Sequence, residues 1–124
     1  MSVAILKQGD HLIASIQSAL RDHEVIELRD ELADRVGRLR ARGIVIDVTA
    51  LDVIDSFVAR SLRTIALTAG LRGAETVIVG IQPEVAVAMV QFKLNLEPLH
   101  TALDLEEGLE LLSDLTARLG QNDG

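Results

Sequence analysis

Apolar and polar positions alternate between two rhythms along this chain. Ser2 to Leu6 and His11 to Ile16 are short apolar-rich segments flanking Gln8-Gly9-Asp10. Glycine supplies the positive φ that a two-residue turn needs, so a β-hairpin is expected there. Val25, Leu28, Leu32, Val36 and Leu39 then recur at helical spacing and predict one amphipathic helix. Gly43 is read as its stop. Ile44-Val45-Ile46-Asp47-Val48 and Thr76-Val77-Ile78-Val79-Gly80-Ile81 are β-branched runs that suit strands covered on both faces. Between them a helical segment spans about Ser56 to Leu71, giving a βαβ unit with the usual right-handed crossover. Pro83 opens a third helix running to about Phe92 or Leu94, because a missing N–H costs nothing at the first helical position. A short strand is expected near Leu99 to Ala102. Asp104 and Glu107 have the spacing of a capping box for a last helix, with Leu105, Leu109, Leu111, Leu112 and Leu115 as its apolar face.

The helix from Ser56 carries an unusual second stripe. Val58, Leu62, Ile65, Ala66 and Ala69 form one side, assigned to the sheet. At about 100° per residue, Phe57, Arg60, Thr64, Leu67 and Leu71 fall together on the other. A solvent-facing stripe is not expected to hold Phe and two Leu. It reads as a partner surface, or else as a face covered by a neighbouring helix of the same domain.

Composition narrows the chemistry. A chain of 124 residues suits one domain, taken as residues 1–118 with a frayed tail at 119–124. There is no cysteine, so disulfides and thiolate chemistry are excluded. There is no Trp or Tyr, and only Phe57 and Phe92, so base stacking is not expected. The formal charge is −7, which argues against nucleic acid or an anionic membrane as partner. That charge is concentrated in residues 97–124, where seven acids face one Arg. The first residues, with Lys7, Asp10 and His11, lack the apolar run of a signal peptide. The longest apolar run, Val85 to Val90, is far short of the ~18 residues of a membrane span. The expectation is a soluble cytoplasmic domain.

Candidate chemical groups are few. His11, His23 and His100 have no ligand spacing, so no metal is expected. No glycine-rich phosphate loop is present, and no cofactor is implied. Arg35, Arg38, Arg40 and Arg42 could form an anion site, although a solvated helix end matched to its dipole is the simpler reading. Asp47, Asp52 and Asp55 cluster after the Ile44 strand as in a phospho-accepting receiver. The early acidic pair and late lysine of that chemistry are missing, since the only lysines are Lys7 and Lys93. Asp55 or Ser56 reads as an N-cap.

The blocks Ile44-Val45-Ile46-Asp47-Val48-Thr49, Asp52-Val53-Ile54-Asp55-Ser56-Phe57-Val58-Ala59-Arg60 and Gly73-Ala74-Glu75-Thr76-Val77-Ile78-Val79-Gly80-Ile81-Gln82-Pro83 resemble a STAS domain, the family of bacterial anti-sigma factor antagonists. The likeness runs from about Val3 to Leu112. The Asp55-Ser56-Phe57 and Gly80-Ile81-Gln82-Pro83 variants are similar to its stressosome branch of small scaffold proteins. Simple antagonists of the family have a second Ser and a Gly where this chain has Phe57 and Val58, which points away from direct pairing with an ordinary anti-sigma kinase.

The resemblance implies an α/β fold, with a mixed β-sheet of four to five strands and about four helices packed mainly on one side. It implies a non-enzymatic scaffold that holds an ATP-dependent serine switch kinase and releases it when Ser56 is phosphorylated, with a phosphatase reversing the step. Asp52, Asp55, Phe57, Arg60 and Thr64 would contact the partner. Larger sensor-bearing STAS paralogues would co-assemble with it, and a homodimer within a large assembly is expected. The length leaves no room for their sensor domain. Two alternatives stay open, a stand-alone antagonist binding an anti-sigma factor and an accessory STAS domain of a transporter. Thr49 and Ser61 are read as structural hydroxyls, with a second phosphosite as the alternative.

Overall fold

The computed structural model describes residues 3–122, with side chains to residue 117. The elements are β1 (Val3–Gln8), β2 (His11–Ile16), α1 (Asp22–Leu39), β3 (Gly43–Asp47), α2 (Ser56–Leu71), β4 (Glu75–Val79), α3 (Pro83–Gln91), β5 (His100–Ala102) and α4 (Leu105–Asn122). The expected tail at 119–124 carries helical backbone as far as Asn122 and otherwise lies outside the described residues.

The strands form one five-stranded sheet in the order β1-β2-β3-β4-β5. β1 and β2 are an antiparallel hairpin turned at Gly9, whose φ is 60°. All later neighbours are parallel. The β-branched runs behave as their composition predicts. Ile44, Val45, Ile46, Val77, Ile78 and Val79 are wholly buried, because both sheet faces are covered. Ile44, Ile46 and Ile78 join Leu12, Ala14 and Ile16 in a larger core packed by α1, α2 and α3. Val45, Val77, Val79 and Ile13 face the other way, onto Leu112 of α4. Three helices thus lie on one face and one on the other.

Three local expectations need correcting. Gly43 does not stop α1. Arg40 does, in the left-handed region with φ 51°, and the N–H groups of Arg40 and Ala41 both return to the Val36 carbonyl. Gly43 instead opens β3, where His11 and Leu112 crowd the space a side chain would need. Leu105 is not part of the buried face of α4 but exposed. The contact is centred a turn later, at Gly108, where an added Cβ would stand 2.5 Å from Val79 Cγ1. The cap of α4 is also offset. Asp104 Oδ1 accepts from the Glu107 N–H at 2.9 Å, but Glu107 returns to the N–H of Leu103, one residue before the cap.

The four arginines do not converge. Arg35 and Arg38 pair with Glu31 and Asp34, each at 2.7 Å and one turn apart, while Arg42 donates to the Thr116 carbonyl on α4.

The β4–α3 turn depends on Gly80. Its φ is 80°, and a Cβ there would overlap the Thr49 hydroxyl. Gly70, on an open part of α2, has nothing within 4 Å. Gly80→Ala is therefore expected to cost about 1–3 kcal/mol through strain and overlap. Gly70→Ala is expected to gain about 0.5–1 kcal/mol from helix propensity. Urea unfolding midpoints of the two variants should move in opposite directions.

Candidate functional site

The site is built at the carboxyl ends of β3 and β4, where two loops meet. Asp47 Oδ1 accepts from the Thr49 N–H at 2.9 Å and from its hydroxyl at 2.6 Å, which folds the chain as it leaves β3. The Val48 N–H donates to the Val79 carbonyl at 3.0 Å. From the other side, Gln82 Nε2 donates to the Thr49 carbonyl at 2.7 Å. The Gly80-Ile81-Gln82-Pro83 block therefore holds the first part of the β3–α2 loop. Leu51 and Ile54 anchor the rest in the core, while Asp52 and Val53 between them are exposed.

The loop ends at Asp55. Its backbone is extended and its Oδ1 accepts the Val58 N–H at 2.8 Å, making it the N-cap of α2. Of the two candidate caps, Asp55 holds that role, and Ser56 becomes the first helical residue with its side chain exposed. Arg60 lies one turn on, its Nε donating to the Ser56 carbonyl at 3.4 Å, and Thr64 Oγ1 donates to the Arg60 carbonyl at 3.0 Å. Each of the three aspartates has its own place. Asp47 ties the loop and Asp55 caps the helix, while Asp52 stands at the surface, so they do not form a receiver-like cluster.

The two stripes of α2 are distinct in the fold. Leu62, Ile65, Ala66 and Ala69 are buried and Val58 packs partly against the core, as expected. Ala59 and Ser61 are buried with them, which the stripe had not included. On the outer side Arg60, Thr64, Leu67 and Leu71 are exposed, Leu71 by 90%. No helix of the domain covers them, among the described residues. Phe57 is half-buried at the head of this stripe. The Thr49 hydroxyl donates to Asp47 Oδ1 at the surface, and Ser61 is buried on the core side of α2.

One part of the site was not foreseen. Beside Ser56 lies an open cleft of about 400 Å³, with Asp52, Asp55 and Ser56 on one side and Val85, Ala88, Phe92 and Leu94 on the other. The second aromatic of the chain thus stands across from Ser56, and it is 75% exposed. The available signal was that Pro83 to Val90 is apolar at nearly every position. That is more than one core-facing stripe requires.

Comparison with known proteins gives this arrangement a context. The STAS domain model matches residues 2–108. A structure of a Moorella thermoacetica RsbS variant superposes with a TM-score of 0.80 at 37% identity, covering 94% of this chain and 99% of that one. A chain of a stressosome structure, described as a signal integration and transduction hub, has a TM-score of 0.72 at 35% identity, covering 91% of this chain and 98% of that one. In sequence, the chain is 28% identical over 91 residues to the RsbT co-antagonist protein RsbRA of Bacillus subtilis, which is 73% of this chain. It spans only 33% of that longer protein. Among the described residues no helix is long and apolar enough to cross a membrane. On the family match and a structural likeness that covers 94% of the chain, the chain belongs to the STAS domain family of anti-sigma factor antagonists, with stressosome RsbS among its relatives.

Proposed function

We propose that this chain is a cytoplasmic, non-enzymatic scaffold that holds a serine kinase and lets it go when Ser56 is phosphorylated. The observation that carries the reading is the placing of Ser56. It is exposed at the first position of a capped helix, at the head of an uncovered stripe that continues through Arg60, Thr64, Leu67 and Leu71. A kinase can reach such a hydroxyl without unfolding anything. RsbRA, a relative by sequence, is named a co-antagonist of RsbT, which supports a captive partner of that kind.

The local physics favours expulsion of the partner over refolding of the domain. A phosphate adds about −1.5 to −2 charge and three acceptor oxygens. The N-terminus of α2 and Arg60 stabilise it, while Asp52 and Asp55 oppose it. The capping bond from Val58 to Asp55 does not involve Ser56, so the helix start stays in place. What changes is the surface. A partner seated over Asp52, Asp55, Phe57, Arg60 and Thr64 meets a strongly hydrated charge in the contact, and removing that charge from water is unfavourable.

Ser56→Ala is expected to retain the kinase in the presence of ATP, and Ser56→Asp to weaken it about 100-fold, equivalent to ~2.7 kcal/mol. Surface plasmon resonance against the kinase measures this, and equal affinities for the two variants would contradict the reading. A phosphatase acting on phosphorylated Ser56 should restore the affinity.

Assembly is tested separately. Co-expression with a sensor-bearing STAS paralogue is expected to give a megadalton-scale particle by size-exclusion chromatography with light scattering. Small species alone would mark a stand-alone antagonist instead.

A further inference from the structure

The short last strand leaves a corner of the sheet uncovered. His100, the first residue of β5, pairs with Val77, so the register leaves Glu75 and Thr76 at the start of β4 ahead of it. Arg63 Nε donates to the Glu97 carbonyl at 3.0 Å and ties the loop before β5 to α2. Over this corner α2 carries the small residues Ala66 and Gly70, and a Cβ added at Gly70 would meet nothing within 4 Å. An open cleft of about 570 Å³ results, with the exposed Leu67, Leu71 and Pro98 around it. It shares no lining residue with the Ser56 cleft.

One group in this lining does not match the rest. Thr76 is 3% exposed, and its hydroxyl is shut off from solvent with no hydrogen-bond partner among the described residues. Strand alternation puts it on the same sheet face as Ile78, the face that α2 covers. A buried hydroxyl is nearly always paired, and leaving one unpaired is unfavourable. Valine would fill the same space without that penalty.

We propose that this cleft binds a neutral aliphatic carbonyl compound, a medium-chain ketone or ester, whose oxygen accepts from the Thr76 hydroxyl. The volume lies within the roughly 300–1,000 Å³ of small-molecule sites, and such sites are apolar with few polar groups. The chain of the ligand would lie on Ala66, Gly70 and Leu71. Exposed leucines change rotamer readily, which opens the way to the hydroxyl. Charge selects a neutral compound. Glu75 is the only charged side chain in the lining, at 3.3 Å from His100 Nε2, and its carboxylate repels an anionic ligand. The single free hydroxyl selects a carbonyl. A carbonyl gives the Thr76 proton an acceptor and brings no donor of its own for the apolar walls to leave unpaired.

Titration of the purified chain with 2-octanone, followed by proton–nitrogen correlation spectra, tests this. Saturable shifts are expected at Ala66 to Leu71 and Ala74 to Thr76. Octanoate at neutral pH should bind at least tenfold more weakly. Thr76→Val should be at least as stable as the unaltered chain in urea, and should bind 2-octanone about tenfold more weakly. Gly70→Leu fills the cleft and should abolish the shifts. Should circular dichroism show that it has lost its fold, Thr76→Val remains as the test. Absence of saturable binding up to the solubility of the ketone would overturn the proposal. So would shifts centred on Val85, Ala88 and Phe92 of the other cleft, or an affinity that Thr76→Val leaves unchanged. Equal binding of octanoate would overturn the assignment of a neutral ligand.

Discussion

The close approach of the β3–α2 and β4–α3 loops is the constraint on which the rest of the site depends. Gly80 sits so near Thr49 that no side chain fits between them. The loops are tied further by Gln82 to the Thr49 carbonyl and by Val48 to the Val79 carbonyl. One loop leads to Asp55 and the start of α2, and the other to Pro83 and the start of α3. A single clamp therefore sets two helix N-termini side by side, so that Ser56 and the apolar wall of α3 come to line the same cleft. Parallel strands make this possible, since their carboxyl ends and outgoing loops gather on one edge of the sheet.

Much of this was legible in the sequence because periodicity and burial share a cause. The strands of the βαβ unit are continuous β-branched runs because both of their faces are dry, and α2 was placed from Ser56 to Leu71 because its core stripe repeats at helical spacing. The outer stripe was legible by the same reasoning, as Leu67 and Leu71 recur at positions the core does not use. Legibility failed where a residue's role is set by tertiary neighbours. Gly43 reads as a helix stop by local chemistry, yet it is small because Leu112 presses on it from α4. Gly108 looks like a flaw in a helix, yet it lets α4 come down on Val79. The cleft could not be read at all, since Ile54 and Val85 lie far apart in the chain and only the loop clamp brings them together.

Charge is divided across the sheet. The excess acids of the C-terminal stretch, Glu106, Glu107, Glu110 and Asp114, are exposed on α4, against the face opposite to α2. The −7 of the whole chain is thus largely remote from Ser56. Around Ser56 the balance is local, with Asp52 and Asp55 against Arg60, and a phosphate there changes the sign of nothing but greatly raises the charge density of a small area. On the proposed reading, such a change would repel a docked apolar surface without disturbing a core whose nearest buried members, Ile54 and Ala59, are sealed from solvent. A phosphate on Ser56 would then act on the surface the domain presents and leave its core alone.

The most direct measurement is phosphosite mapping coupled to partner binding. After incubation with the switch kinase and ATP, trypsin should release the peptide from Gly43 to Arg60, whose only hydroxyl side chains are Thr49 and Ser56. The account predicts one phosphate on this peptide, located at Ser56 by fragmentation, with the modified chain no longer retaining the kinase. A phosphate at Thr49 or elsewhere in the chain, or a Ser56-phosphorylated chain that still holds the kinase, would contradict it.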